Sequence, residues 1–158
     1  MKKFLLLTLL AFVTTIYAQA QQNKEKVAVY VSGNIRSNFK QIISSKAVSR
    51  ISRSENYVAI ERTKAFVDIL AKEQDYQLSG EVCDDQIAAV GMRFGVRYVA
   101  VFEASQSYDT GFISARIIDV ENSTIIKSVD TSRKIKSAED WEAITNNVAF
   151  RLISTKSK

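Results

Sequence analysis

Asp84-Asp-Gln-Ile-Ala-Ala-Val-Gly-Met-Arg-Phe-Gly-Val-Arg-Tyr-Val-Ala-Val-Phe-Glu-Ala-Ser105 decides the fold. Its first half has helical periodicity, with Ile87, Val90, Gly91 and Phe94 on one face and Asp84 placed to cap the start. Gly95 ends the helix, and Val96 to Ala104 follows as a strand. Alternation puts Val96, Tyr98, Ala100, Phe102 and Ala104 on one side of that strand and Val99 and Val101 on the other, with Arg97 and Glu103 near its ends. A strand apolar on both sides through its middle needs cover above and below, so it is expected at the centre of a sheet.

The flanking segments supply that cover. Lys26 to Val31 is a first strand, apolar on both faces, broken by Ser32-Gly33-Asn34. Ile35, Phe39, Ile42 and Ile43 mark a helix running to about Arg53. Tyr57 to Ile60 is a short second strand. Thr63 can cap the next helix, whose apolar face is Ala65, Phe66, Ile69 and Leu70. Beyond the central strand, Tyr108-Asp109-Thr110-Gly111 is a hairpin turn. Phe112 to Val120 returns with Ile113, Ala115 and Ile117 on one face and Ser114 and Arg116 on the other. Glu121-Asn122-Ser123 turns the chain into Thr124 to Arg133, which carries Ile125, Ile126 and Val129. Asn122-Ser123-Thr124 matches a glycosylation acceptor and is taken as a turn. Ser137, three residues before Asp140, opens a last helix striped by Trp141, Ile144, Val148 and Leu152. The expectation is an α/β fold in the order β-α-β-α-α-β-β-β-α, a single mixed sheet of about five strands with helices on both faces. No internal repeat or low-complexity linker interrupts it.

Residues 1–20 are an address. Lys2 and Lys3 precede the mostly apolar run Phe4 to Tyr17, which is shorter than the roughly 20 residues a spanning helix needs. Ala18-Gln19-Ala20 fits a signal-peptidase site, and polar Gln21 to Lys24 follows. The competing reading is an uncleaved membrane anchor. The expected arrangement is a cleaved signal peptide at 1–20 and one α/β domain at 21–158, periplasmic or secreted, with no cysteine at the cut to carry lipid. Cleavage removes two lysines and no acid, so the net charge falls from +5 to +3. That surplus is too small to argue for nucleic acid or an anionic membrane as partner. Arg133, Lys134 and Lys136 read as a solvated strand end.

The chain has no histidine, which removes His-based triads, His general bases and nearly every zinc site. The lone Cys83 has no intrachain disulfide partner and reads as a buried small apolar residue; intermolecular pairing is the alternative. The single glycine after the first strand lacks a GxGxxG or Walker context, so no cofactor is expected. Adjacent Asp84 and Asp85 point in different directions at a helix start and make a poor acid/base pair. No enzyme is expected.

Val27-Ala-Val-Tyr30, Tyr57-Val-Ala-Ile-Glu-Arg62, Phe94-Gly-Val-Arg-Tyr-Val99, and Ile113-Ser-Ala-Arg-Ile-Ile-Asp-Val120 followed by Ser128-Val-Asp-Thr-Ser-Arg133 resemble, in order, the periplasmic domain of the curli production assembly/transport component (CsgG-like). The resemblance covers roughly residues 26–135. A similar fold occurs in LpoB-like periplasmic activators of peptidoglycan synthases and in the N-terminal domain of TolB. The curli channel also has two bilayer-crossing hairpins and a lipidated cysteine. This chain has only Gln106–Gly111 at the first insertion point and passes directly from Lys136 to the Ala138 helix at the second. Neither loop holds the about 9–11 residues per strand that crossing requires. The resemblance therefore implies the fold and a cell-envelope role, but not the channel and no integral membrane insertion. The expected function is a non-enzymatic periplasmic protein-interaction module for envelope assembly or secretion, with an envelope protein as partner and homo-oligomerisation open. The alternatives are an accessory activator of a peptidoglycan synthase or a small-ligand carrier. Arg62 and Tyr76, at element ends, are the candidate partner contacts. The competing readings are a structural ion pair of Arg62 with Glu61 or Asp68 and a loop-anchor role for Tyr76.

Overall fold

A computed structural model describes residues 24–60 and 84–154. Within them the chain forms β1 (Glu25–Ser32), α1 (Ser37–Ser52), β2 (Tyr57–Ile60), α2 (Asp84–Arg93), β3 (Tyr98–Ser107), β4 (Thr110–Asp119), β5 (Thr124–Lys134) and α3 (Ala138–Ile153). The strands make one five-stranded sheet in the order β2-β1-β3-β4-β5. β1 runs parallel to both β2 and β3, whereas β3, β4 and β5 form an antiparallel meander. The mixed sheet and the central place of β3 are as expected. The helix anticipated from Thr63, together with Arg62, Tyr76 and Cys83, lies outside the described residues.

Period-two alternation sorts the sheet side chains into two cores. The larger lies under α1 and α3. It holds Val27, Val29 and Val31 of β1, Ala100, Phe102 and Ala104 of β3, Ile113, Ala115 and Ile117 of β4, and Val129 of β5. The smaller lies under α2, where Ala28, Tyr30, Val99, Val101, Ile118 and Val120 meet Ile87 and Ala88. Helices thus cover both faces. One residue of the quoted stretch changes sides. Val96 packs with the α2 core, because β3 begins only at Tyr98 and Val96 belongs to the turn that ends α2.

That turn is set by Gly95. Its φ of +62° is left-handed, the Gly95 N–H donates to the Met92 carbonyl (3.1 Å), and the Val96 N–H reaches back to Gly91 (3.3 Å). This is a Schellman closure, which favours glycine because a Cβ is penalised in that conformation. Gly91 allows close approach: a Cβ there would lie 2.6 Å from Val120 Cγ2 and 2.9 Å from Val99 Cγ2.

α3 is anchored along its whole length. Its apolar stripe of Trp141, Ile144, Val148 and Leu152 is buried. Asp140 turns back to accept the N–H groups of Lys136 (2.9 Å) and Ser137 (3.2 Å), satisfying donors the first turn leaves open. The Lys136 N–H bond lowers the Asp140 pKa most; the Ser137 N–H and the Arg133 and Lys136 charges add to it, against a partial desolvation penalty. Asp119, buried where β4 ends, is pushed up by desolvation but held lower on balance by the Glu121 N–H and Arg97. Both folded carboxyls therefore bind protons less readily than in the unfolded chain. Their stabilisation is complete above the ordinary carboxylate range, about pH 4, and is lost as pH falls through the lowered values. Urea titrations between pH 2 and 5 are expected to show this acid limb, shallower in Asp140→Asn and Asp119→Asn.

Candidate interaction surfaces

β5 is parallel to β1, since two antiparallel steps separate it from β3 and β3 is parallel to β1. α1 and α3, which follow these strands on the same face, therefore run side by side in the same direction. Their contacts keep one order: Phe39 against Trp141 (centroids 5.8 Å apart), Lys46 with Glu142 (2.8 Å), then the Arg50 guanidinium over the Phe150 ring (4.6 Å). The outer surface of this pair is grooved. One groove of about 410 Å³ is lined by Lys46, Ser49, Arg50, Arg53, Glu139, Glu142, Ala143 and Asn146. A second, about 440 Å³, is bounded by Asn38, Gln41, Ile42, Ser45, Lys46 and Glu142. The Lys46–Glu142 bridge lines both, and both open to solvent.

The charges here have a structural reason. Arg36, Lys40, Lys46, Arg50 and Arg53 fall in or beside α1 with no acid among them. Arg50 lies in the last turn of α1 and Arg151 in the last turn of α3, two C-termini at one end of the parallel pair, where cations offset the helix dipoles. Lys127 of β5 donates to the Ser154 carbonyl beside the same end. Phe150 is the apolar exception, about half exposed beneath Arg50. The arrangement can present a cation-rich ridge with one aromatic to another macromolecule. It aligns no nucleophile with a base.

A second cluster ties the sheet base together. Arg97 donates to Asp119 (2.9 Å) and pairs with Glu121, while Asp119 also accepts the Glu121 N–H (2.9 Å). The Arg97 backbone bonds to Lys26 and Val120 (both 3.1 Å), so one residue links β1, β3 and the β4–β5 turn. Tyr57 and Tyr98 meet edge to face nearby (5.8 Å). Burial first, then Tyr98 and Glu25, push the Tyr57 phenol above its ordinary value, so it stays protonated and is no base near neutral pH. This cluster is structural.

The structure does not test Arg62 and Tyr76, which fall outside the described residues, as does the proposed Cys83 burial. Trp141 is core, as its spacing implied. Reading the sequence missed the Lys46–Glu142 bridge and the Arg50–Phe150 stack. Their partners lie about 100 residues apart (|i−j| = 96 for the bridge), and no local pattern links them. Among the described residues no group of His, Cys, Asp and Glu is arranged to hold a metal, and no helix is long and apolar enough to cross a membrane. The two loops compared with the curli hairpins are short. Ser107 pairs directly with Thr110, and only residues 135–137 separate β5 from α3.

No family model matches the sequence, and no curated protein matches it significantly. Solved structures do match. The PelC dodecamer from Paraburkholderia phytofirmans superposes with a TM-score of 0.54 at 13% identity, over 85% of this chain and 91% of that one. TolB from Acinetobacter baumannii gives 0.51 at 14% identity, over 84% of this chain but only 29% of TolB. The LpoB C-terminal domain from Escherichia coli gives 0.50 at 12% identity, over 73% and 86%. At these identities the likeness is one of fold, and it bears out the LpoB- and TolB-like part of the resemblance at that level.

Proposed function

We propose that this chain is a non-enzymatic envelope module that acts by binding protein, exported by a cleaved leader at 1–20 and folded as one CsgG-like domain over 21–158 without the bilayer-crossing hairpins. The observation that carries the reading is the grooved α1/α3 surface: a cation-rich ridge with one exposed aromatic, which offers contacts but no reactive constellation. The shared fold supports it. A second copy is one candidate partner, since PelC of the same fold is described as a dodecamer. Arg62 and Tyr76 stay proposed partner contacts in addition to this surface.

A photo-crosslinking amino acid at Ser45, Ser49 or Asn146, introduced in the living cell, tests the proposal. These residues line the grooves, and Ser45, Ser49 and Asn146 are exposed. Discrete adducts are expected there and not from Glu55 on the α1–β2 loop. Adducts at Glu55 alone would reject this surface.

A further inference from the structure

Two helix C-termini lie at one end of the α1/α3 pair, and together they amount to about one negative charge. Two cations there are already bound to backbone oxygens. Arg151 donates to the Asp130 carbonyl (3.2 Å) and Lys127 to the Ser154 carbonyl. Arg50 and Arg53 come on top of these, so this end carries more positive charge than the helix ends require. Neither has an acidic partner among the described residues. The two acids lining the same groove answer to other groups. Glu142 is bridged to Lys46 (2.8 Å), and the Ser137 hydroxyl draws the Glu139 carboxyl below its ordinary value.

The two arginines are also placed for a ligand. Both line the groove, one helical turn apart, with Cβ atoms about 5–6 Å from each other. Phe150 fixes the Arg50 guanidinium (4.6 Å), whose Nε–H finds no acceptor among the described residues. A planar fork held in this way suits a carboxylate, which it can grip with two parallel bonds. Away from the arginines the lining changes. Ser49 and Asn146 come next, and past the Lys46–Glu142 bridge the second groove offers Ile42, Asn38 and Gln41. From Arg53 back to Ile42 is about 16 Å of helix, the reach of about five extended residues or three helical turns. An evenly charged polymer such as a nucleic acid would set phosphates against Glu139 and Glu142 along this path. Carboxylates confined to one end would not meet them.

We infer that the groove takes an acidic peptide, a segment of a protein partner whose paired carboxylates seat on Arg50 and Arg53 and whose aliphatic side chain packs on Ile42. The carboxylates stand one turn apart on a helix or two residues apart in an extended chain, matching the spacing of the arginines. Uncharged polar residues of the segment cross Ser49 and Asn146. This inference rests on the α1/α3 reading above and adds to it the chemistry of the partner.

Photo-crosslinking from Ser49 and Asn146 in the living cell, followed by mass spectrometry of the joined products, tests it. The attachment point is expected in a protein segment with paired Asp or Glu residues close by. Arg50→Gln combined with Arg53→Gln should lower the adduct yield about five- to tenfold, as two partly exposed charge pairs are lost. Arg50→Lys with Arg53→Lys keeps the charge without the fork and should cost only about two- to threefold. Lys40→Gln is the control: Lys40 is a cation of α1 that lines neither groove, so the yield should not change. The glutamine pair should melt close to the parent, since neither arginine has an ion pair to lose among the described residues. Attachment to a neutral or basic segment, to nucleic acid or to lipid would overturn the acidic peptide, as would a yield unmoved by the glutamine pair. Each of these leaves the α1/α3 surface standing. No adduct from either position in the parent protein would instead remove that surface, and this inference with it.

Discussion

Gly33→Ala is expected to leave the protein largely unfolded. β1 ends at Ser32, and Gly33 turns the chain with a φ of +110°, which L side chains rarely adopt. The larger obstacle is position. A Cβ there would stand 1.9 Å from the Ala104 carbonyl oxygen and 2.7 Å from its carbon. These are backbone atoms of the central strand, so no rotamer change relieves the clash, and β1 or β3 must shift. Those two strands are paired through Ser32↔Glu103 immediately beside it. Left-handed strain and an obstructed central ladder together are expected to cost more than about 3 kcal/mol, a large share of the roughly 5–15 kcal/mol that holds a domain of this size. Circular dichroism should show lost helix and a broadened or absent thermal transition. A variant melting within a few degrees of the parent would mean that the chain does not pass over Ala104 as described.

Trp141→Ala is expected to be the most damaging change in α3. The indole is fully buried. It meets Phe39 of α1, and Gly111 of β4 lies so close below that a Cβ there would stand 2.9 Å from Trp141 Cη2. The ring therefore joins both helices to the sheet. Its truncation removes a large apolar surface and leaves a cavity that a rigid sheet cannot fill, at a cost of about 3–5 kcal/mol. The indole N–H finds no hydrogen-bond partner among the described residues, so Trp141→Phe removes an unsatisfied donor with part of the packing and should cost much less. Urea midpoints of the two variants check the ordering. Equal losses would place the energy in the N–H and contradict the packing account.

What could be read from the sequence follows from periodicity. Alternation assigned Ile113, Ala115 and Ile117 to one side and Ser114 and Arg116 to the other, and the sheet keeps them so. Helical spacing named Trp141, Ile144, Val148 and Leu152, all buried in α3, but not Thr145 and Ala149 on the same buried face. Alternation misled only at Val96, which sits before β3 begins and obeys the geometry of a helix end. Strand order was legible only in its centre: burial on both faces marks β3 as internal, but nothing local says that β1 lies between it and β2. The interaction surface was least legible. The Arg50–Phe150 stack joins two helices through three-dimensional proximity alone, and its residues fit an ordinary solvated face in one dimension. Gly33 looked like a turn residue, whereas its requirement comes from Ala104, far along the chain.

If the protein works as proposed, its partner binds the α1/α3 surface. The most direct measurement of that binding is the yield of the Ser49 photo-adduct in cells carrying Lys46→Glu, which repels Glu142 and removes a cation from the ridge, set beside the double exchange Lys46→Glu with Glu142→Lys, which rebuilds the internal pair. If a partner reads this ridge, the adduct should fall sharply in the single variant while the melting temperature changes little, because a half-exposed ion pair contributes only about 0–1 kcal/mol. The double exchange should recover less adduct than stability. An adduct of undiminished yield in both variants, or none even in the parent protein, would contradict the account.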